Sequence, residues 1–212
     1  MKQIPILFSG PMVKAILDGS KTQTRRVIKS RHESGLFQVS RRVSDNQIIN
    51  IESLDWDERD CEKDITCPYG QPGDVLWVRE TYFKDGDEYI YRADGTCCEQ
   101  FEQCECEDVG KPKWKPSIFM PREACRILLK ITDVRAERLH EISKEDAISE
   151  GITISENLRN GWPMHKGILE NSIPDTIEQL AFWNLWQDIN GSESLESNPW
   201  CWVVSFEKTE KP

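Results

Sequence analysis

No stretch of the chain approaches the roughly 18 uncharged apolar residues of a membrane-crossing helix. The opening run, Met1 to Pro11, is likewise too short in apolar residues for a signal peptide, so the sequence predicts a cytoplasmic protein with no membrane partner. An excess of basic charge is also missing: 27 Lys plus Arg stand against 37 Asp plus Glu, a net charge of -10. Such a surface repels a phosphate backbone at long range and disfavours tight, nonspecific nucleic-acid binding. Repeats at solenoid spacing and long low-complexity tracts are absent, which removes the stacked-repeat architectures. The histidines, His32, His140 and His165, have no metal-ligand spacing among them. The eight cysteines contain no Cys-x-x-Cys knuckle, so Cys97, Cys98, Cys104 and Cys106 read as part of a variable acidic loop before they read as a zinc site. Cys125 and Cys201 lie in apolar runs and read as small core residues. Neither a metal nor a cofactor is expected.

What is present is enough for one ordinary domain. The 212 residues are 38% hydrophobic and 30% charged, too apolar for a disordered chain. Charge is unevenly spread: Lys21 to Arg42 holds seven basic residues against Glu33 alone, whereas 52–64 and 99–108 are acidic. A local basic face survives on an acidic protein.

Along the chain, Pro11 followed by Met12 to Asp18 predicts a short helix with proline in its first turn and Gly19 as its stop. Lys21 to Ile28 is rich in β-branched residues and predicts a strand. Residues 29–67 are polar and weakly patterned, an excursion from the core. After the Pro72-Gly73-Asp74 turn, strands are expected over 75–81, 89–92 and 126–135. Ser143-Lys144-Glu145-Asp146 predicts a capping box in which Asp146 reaches back to the helix opening, and Gly151 stops that helix. A helix from Asp175 or Thr176 to Asn190 should bury Ile177, Leu180, Ala181, Trp183, Leu185 and Ile189, and Trp200 to Phe206 should close the chain as a strand. Separated strands require long-range pairing. The economical architecture is α+β: a small mixed β-barrel with flanking helices, one domain over 1–212, with insertions near 29–67, 96–116 and 152–174.

The segment Gly19-Ser20-Lys21-Thr22-Gln23-Thr24-Arg25-Arg26 resembles the Gly-x-Lys-x-x-(Glu or Thr)-x-Arg signature of ASCH domains, a group within the PUA-like β-barrel superfamily. Pro72 to Glu80 is similar to that family's second strand, and Asp133 to Gly151 to its strand–helix segment. With Lys113 to Ile118 and Asn198-Pro199-Trp200, the whole chain resembles a phage and prophage branch of the family carrying long insertions. The resemblance implies a PUA-like barrel. Members with threonine at the variable position are similar to an amidohydrolase that removes the acetyl group from N4-acetylcytidine. That likeness implies Lys21 as base, Thr24 as nucleophile and, by its place before Gly151, Glu150 as acid.

The chemistry can be argued from the residues alone. A threonine hydroxyl is a weak nucleophile unless a neighbour takes its proton, and a desolvated lysine with a lowered pKa can do so. On a regular strand positions 21 and 24 would face opposite ways, but a corner after Gly19 removes that objection. A carboxylic acid on the following helix could then protonate a leaving amine. The plain structural reading stands beside this one: Lys21 can simply complement the negative end of the first helix. Glu150 sits at an unfavourable helix end for an anion, which favours a functional reason for it. Arg25, Arg26 and Arg79 could hold a phosphate or a base edge, and Trp77 or Tyr82 could stack on a nucleobase. Two function classes lead: hydrolytic deacylation of a modified nucleobase or nucleoside, or a non-catalytic module binding RNA or modified nucleic acid, neither with an obligatory protein partner. The plainer third is a phage accessory protein that contacts another protein through its acidic insertions.

Overall fold

The structure, a computed structural model, describes residues 1–29, 36–41, 48–54, 66–95, 113–152 and 174–210, with 36–41 and 48–54 described as backbone alone. The expected insertion 96–116 therefore falls outside it except for 113–116, as does nearly all of 152–174 and, with them, Cys97, Cys98, Cys104 and Cys106.

Strand β1 (Gln3–Leu7) leads into helix α1 (Gly10–Leu17), which has Pro11 in its first turn as expected and buries Val13 and Ile16. Gly19, at φ +84°, turns the chain into β2 (Gln23–Val27), so Lys21 precedes the strand instead of lying in it. β3 (Leu36–Arg41) and β4 (Ile48–Leu54) pair antiparallel, so the segment read as a weakly patterned excursion contains a hairpin. Its apolar residues (Leu36, Phe37, Val39; Ile48, Ile49, Ile51) do not alternate with period two, so the strand pattern is hidden. β5 (Val75–Arg79) follows the predicted turn, and β6 (Tyr82–Asp85) pairs with β7 (Glu88–Tyr91). β8 (Leu128–Arg138) runs into helix α2 (Lys144–Ser149), then α3 (Ile177–Asn190), α4 (Ser192–Glu196) and β9 (Trp200–Thr209).

The fold is mixed α+β. Five strands form one sheet in the order β1-β5-β8-β9-β2, in which only β1 and β5 run parallel. The sheet curls until its two edges face each other: Arg26 Nη2 on β2 donates to the Leu7 carbonyl on β1 at 2.8 Å, and the guanidinium lies over the Phe8 ring at 5.3 Å. No backbone ladder joins β1 to β2 among the described residues, so a side chain spans the seam and the sheet is not closed into the expected barrel by strand pairing.

Parity along β9 divides the core. Val204 and Phe206 face α1 with Ile6, Val13, Ile16, Leu76, Val78 and Leu129. Cys201, on the other face, packs with Leu139, Ala147, Phe182, Trp183 and Trp186 from the helices. Cys125 is also buried, with Val75, Tyr82, Met120 and Leu128. Burying each such large apolar side chain contributes about 1.5–3 kcal/mol.

Helix α3 opens at Thr176 with a Gln179 capping box, but its buried face differs from the expected one. Phe182, Trp183 and Trp186 are buried, whereas Leu185 and Ile189 are 36% and 55% exposed. The true stripe is rotated toward the aromatics, whose larger area wins the core.

Candidate active site

Glycine decides the meeting of two chain segments. Gly151, at φ +84°, ends α2 beside Lys21; a β-carbon there would stand 3.0 Å from the Cβ atoms of Ala15 and Lys21. Backbone bonds fix the approach: Lys21 N donates to Ala15 O at 2.9 Å and Thr22 N to Ser149 O at 2.8 Å, with Lys21 and Glu150 forming an isolated antiparallel bridge. The ends of α1 and α2 thus grip the residue before β2.

From that position Lys21 Nζ donates to Glu150 Oε2 at 2.7 Å and to the Glu150 carbonyl at 2.8 Å. The two side chains are 1% and 6% exposed. Lys21 is held below the usual lysine range because burial disfavours its charge, and nearby Arg26 and Arg25 act in the same sense; Glu150 opposes them. Glu150 Oε1 is buried without a hydrogen-bond partner, 3.6 Å from Arg25 Nη1.

Register explains how residues of both strand faces reach one place. Thr24 lies opposite Val204, Arg25 opposite Val203 and Arg26 opposite Trp202. Thr24 and Arg26 therefore share the inner face, and Arg25 shares the outer face with Arg135 and Glu137 across β9. As β2 ends the sheet, a cleft at its free edge takes side chains from either side. This cleft, of about 90 Å³, is lined by Lys21, Thr24, Arg25, Arg26 and Glu150. Phe182, Leu185, Trp186 and Ile189 of α3, with Met12, supply its apolar wall. A charged floor under an aromatic and aliphatic wall suits a flat, polar-edged group.

Lys21, Thr24, Glu150, Arg25 and Arg26 are brought together; Trp77, Arg79 and Tyr82 are not. Arg79 donates to the Ile118 carbonyl and lies over Trp77 at 5.3 Å, and Arg122 lies over the same ring at 5.6 Å. Tyr82 is buried, its hydroxyl donating to Phe119 O at 3.1 Å, so its ring is packed as core.

Arg25 differs from the expected phosphate holder. Its side chain is 0% exposed, and Nη2 donates to Glu137 Oε2 and Asp146 Oδ2, each at 2.8 Å. Gln23 satisfies its neighbours with its amide oxygen turned to Arg25 Nη1 (2.6 Å) and its nitrogen to Asp146 Oδ1 (3.1 Å). Arg135 adds bonds to Glu137 at 2.6 Å and Asp146 at 2.8 Å. The predicted capping box is half made. Ser143 Oγ accepts from Asp146 N at 3.0 Å, but the Asp146 carboxylate turns to the two guanidiniums, since a charge-assisted bond outcompetes a backbone amide. Burial works to raise the Asp146 pKa, but Arg25 and Arg135 outweigh it and hold the carboxyl below its usual range.

Glu137, Asp146, Arg135 and Gln23 were missed by sequence reasoning. A signal existed in Arg135 and Glu137, opposite charges two apart on one face of a strand. Among the described residues no group of His, Cys, Asp and Glu is arranged to hold a metal ion, and no helix is long and apolar enough to cross a membrane. Compared with family models, with curated proteins and with solved structures, the chain matches none.

Proposed function

We propose that this protein recognises and hydrolytically deacylates a modified nucleobase or nucleoside of the N4-acetylcytidine kind, within a small PUA-like barrel of the ASCH type. The observation carrying this reading is the buried Lys21–Glu150 pair, 2.7 Å apart, in the same cleft as Thr24.

The ammonium–carboxylate pair and its neutral amine–carboxylic acid tautomer differ only in the place of one proton. Burial penalises the two charges of the first form and so narrows the gap to the second. That second form contains both catalysts at once. The Lys21 amine takes the hydroxyl proton as Thr24 Oγ attacks the acyl carbonyl. The C–N bond then breaks, and Glu150 gives its proton to the departing amine. Water afterwards cleaves the threonine ester, releasing acetate and restoring the hydroxyl, so the sum is amide plus water to carboxylic acid plus amine. The apolar wall of α3 would cover the base and exclude bulk water.

The test is incubation of purified protein with N4-acetylcytidine, following cytidine and acetate release. Release by wild type and its loss in Lys21→Ala, Thr24→Ala and Glu150→Gln is expected. No release from any acylated nucleoside in a panel, at any pH between 6 and 10, overturns the reading.

A second reading, a non-catalytic binder of RNA or modified nucleic acid, is favoured by Trp77 lying beneath both Arg79 and Arg122. It predicts binding of a single strand that weakens steeply with salt and on Arg79→Ala. Salt-independent absence of binding overturns it.

A further inference from the structure

We propose that Arg25 is a positioning residue: locked between Glu137 and Asp146, its guanidinium holds Glu150 so that one carboxylate oxygen stays on Lys21 and the other stays open to a ligand. The inference rests on the reading that Lys21 and Glu150 perform the chemistry.

The geometry carries it. Arg25 is wholly buried, and its terminal nitrogens reach carboxylates of β8 and α2 and the Gln23 amide of its own strand. Its ring-side neighbour is Phe182 of α3, 5.9 Å from the guanidinium carbon. Nη1 stands 3.6 Å from Glu150 Oε1, close enough to attract the carboxylate but beyond hydrogen-bond reach. The oxygen is thus oriented without being occupied. In the whole cluster three cations, Lys21, Arg25 and Arg135, meet three anions, Glu137, Asp146 and Glu150. Removing Arg25 leaves three anions facing two cations and withdraws a cation from Lys21.

The groups facing Lys21 are Glu150 from the end of α2, Arg25 and Arg26 from β2, and the Phe8 ring, 5.9 Å away. Of these only Glu150 stabilises the ammonium by charge. Loss of Arg25 therefore favours the ammonium, and the free amine appears at higher pH. Burial and the two arginines already hold Lys21 below its ordinary range, so the change runs back toward that range.

Two independent measurements test this. The first is the titration of Lys21 Nζ by nitrogen-detected NMR in wild type, Arg25→Gln and Arg25→Lys, which needs no activity. The second is the pH profile of kcat/KM on N4-acetylcytidine. Arg25→Gln is expected to move both the Lys21 titration and the acid limb of the profile upward by about one pH unit, a tenfold loss on that limb. Arg25→Lys should restore part of the shift, as a structural defect would not. Should Arg25→Gln not fold, Asp146→Asn, which removes an anion and leaves the guanidinium facing Lys21 in place, is expected to give a smaller shift of the opposite sign, downward. Unmoved titrations in folded variants overturn the proposal. A moved titration in a protein that hydrolyses no acylated nucleoside upholds the positioning role and overturns the hydrolase reading instead.

Discussion

Gly151 and Lys21 approach so closely that a β-carbon on the glycine would lie 3.0 Å from that of Lys21, tighter than ordinary van der Waals contact. The contact sets where the helix end carrying Glu150 meets the corner carrying Lys21.

Gly151→Ala is accordingly expected to cost about 1–3 kcal/mol, from positive φ and from the clash together. Urea unfolding measures it. A loss under half a kilocalorie would show that the corner yields freely.

Lys21→Met is expected to destabilise by about 3–5 kcal/mol, because it leaves the buried Glu150 carboxyl without its hydrogen-bonded cation. The double variant Lys21→Met/Glu150→Leu should recover most of that stability while remaining inactive, since two apolar residues replace two desolvated charges. A double-mutant cycle in unfolding free energy reads the coupling directly; additive losses would contradict it.

Asp146 supplies a pH dependence. Its folded pKa is lowered, so the unfolded chain binds the proton more readily and stability falls with pH. The contribution is fully present above the ordinary value of about 4 and drains as pH falls through the lower folded value. Unfolding midpoints between pH 2 and 6 should therefore fall less steeply for Asp146→Asn than for wild type.

Leu185→Lys and Ile189→Lys alter the exposed rim of the cleft on α3. Each should leave the unfolding midpoint nearly unchanged and raise KM for an acylated nucleoside by about tenfold, the effect of about 1.4 kcal/mol of lost apolar contact. Unaltered KM in both would place the ligand elsewhere.

Much of the fold was legible where local chemistry is decisive. Pro11, Gly19 and Gly151 marked helix bounds because proline and positive φ act within one or two residues. Trp200 to Phe206 was readable from its nearly unbroken apolar run. The β3–β4 hairpin was not, since its apolar residues fall without a period of two. At the site, Lys21 and Glu150 lie 129 positions apart yet were paired from motif and helix-end placement. The Arg25 cage was not legible. Its partners on β8 and α2 are ordinary charged residues until the register across β9 puts them on one face, and register is a property of the folded sheet. Likewise Leu185 and Ile189 satisfied a helical period that a competing aromatic stripe overrode.

The stitch from Arg26 to the Leu7 carbonyl gives the sheet a rim that is fastened by a rotamer instead of by main-chain pairing. Rotamers exchange far faster and at lower cost than ladders unzip. Substitutions at position 26 can therefore widen or narrow the adjoining hollow while every strand keeps its partner, leaving the breadth of accepted ligands open to change one codon at a time.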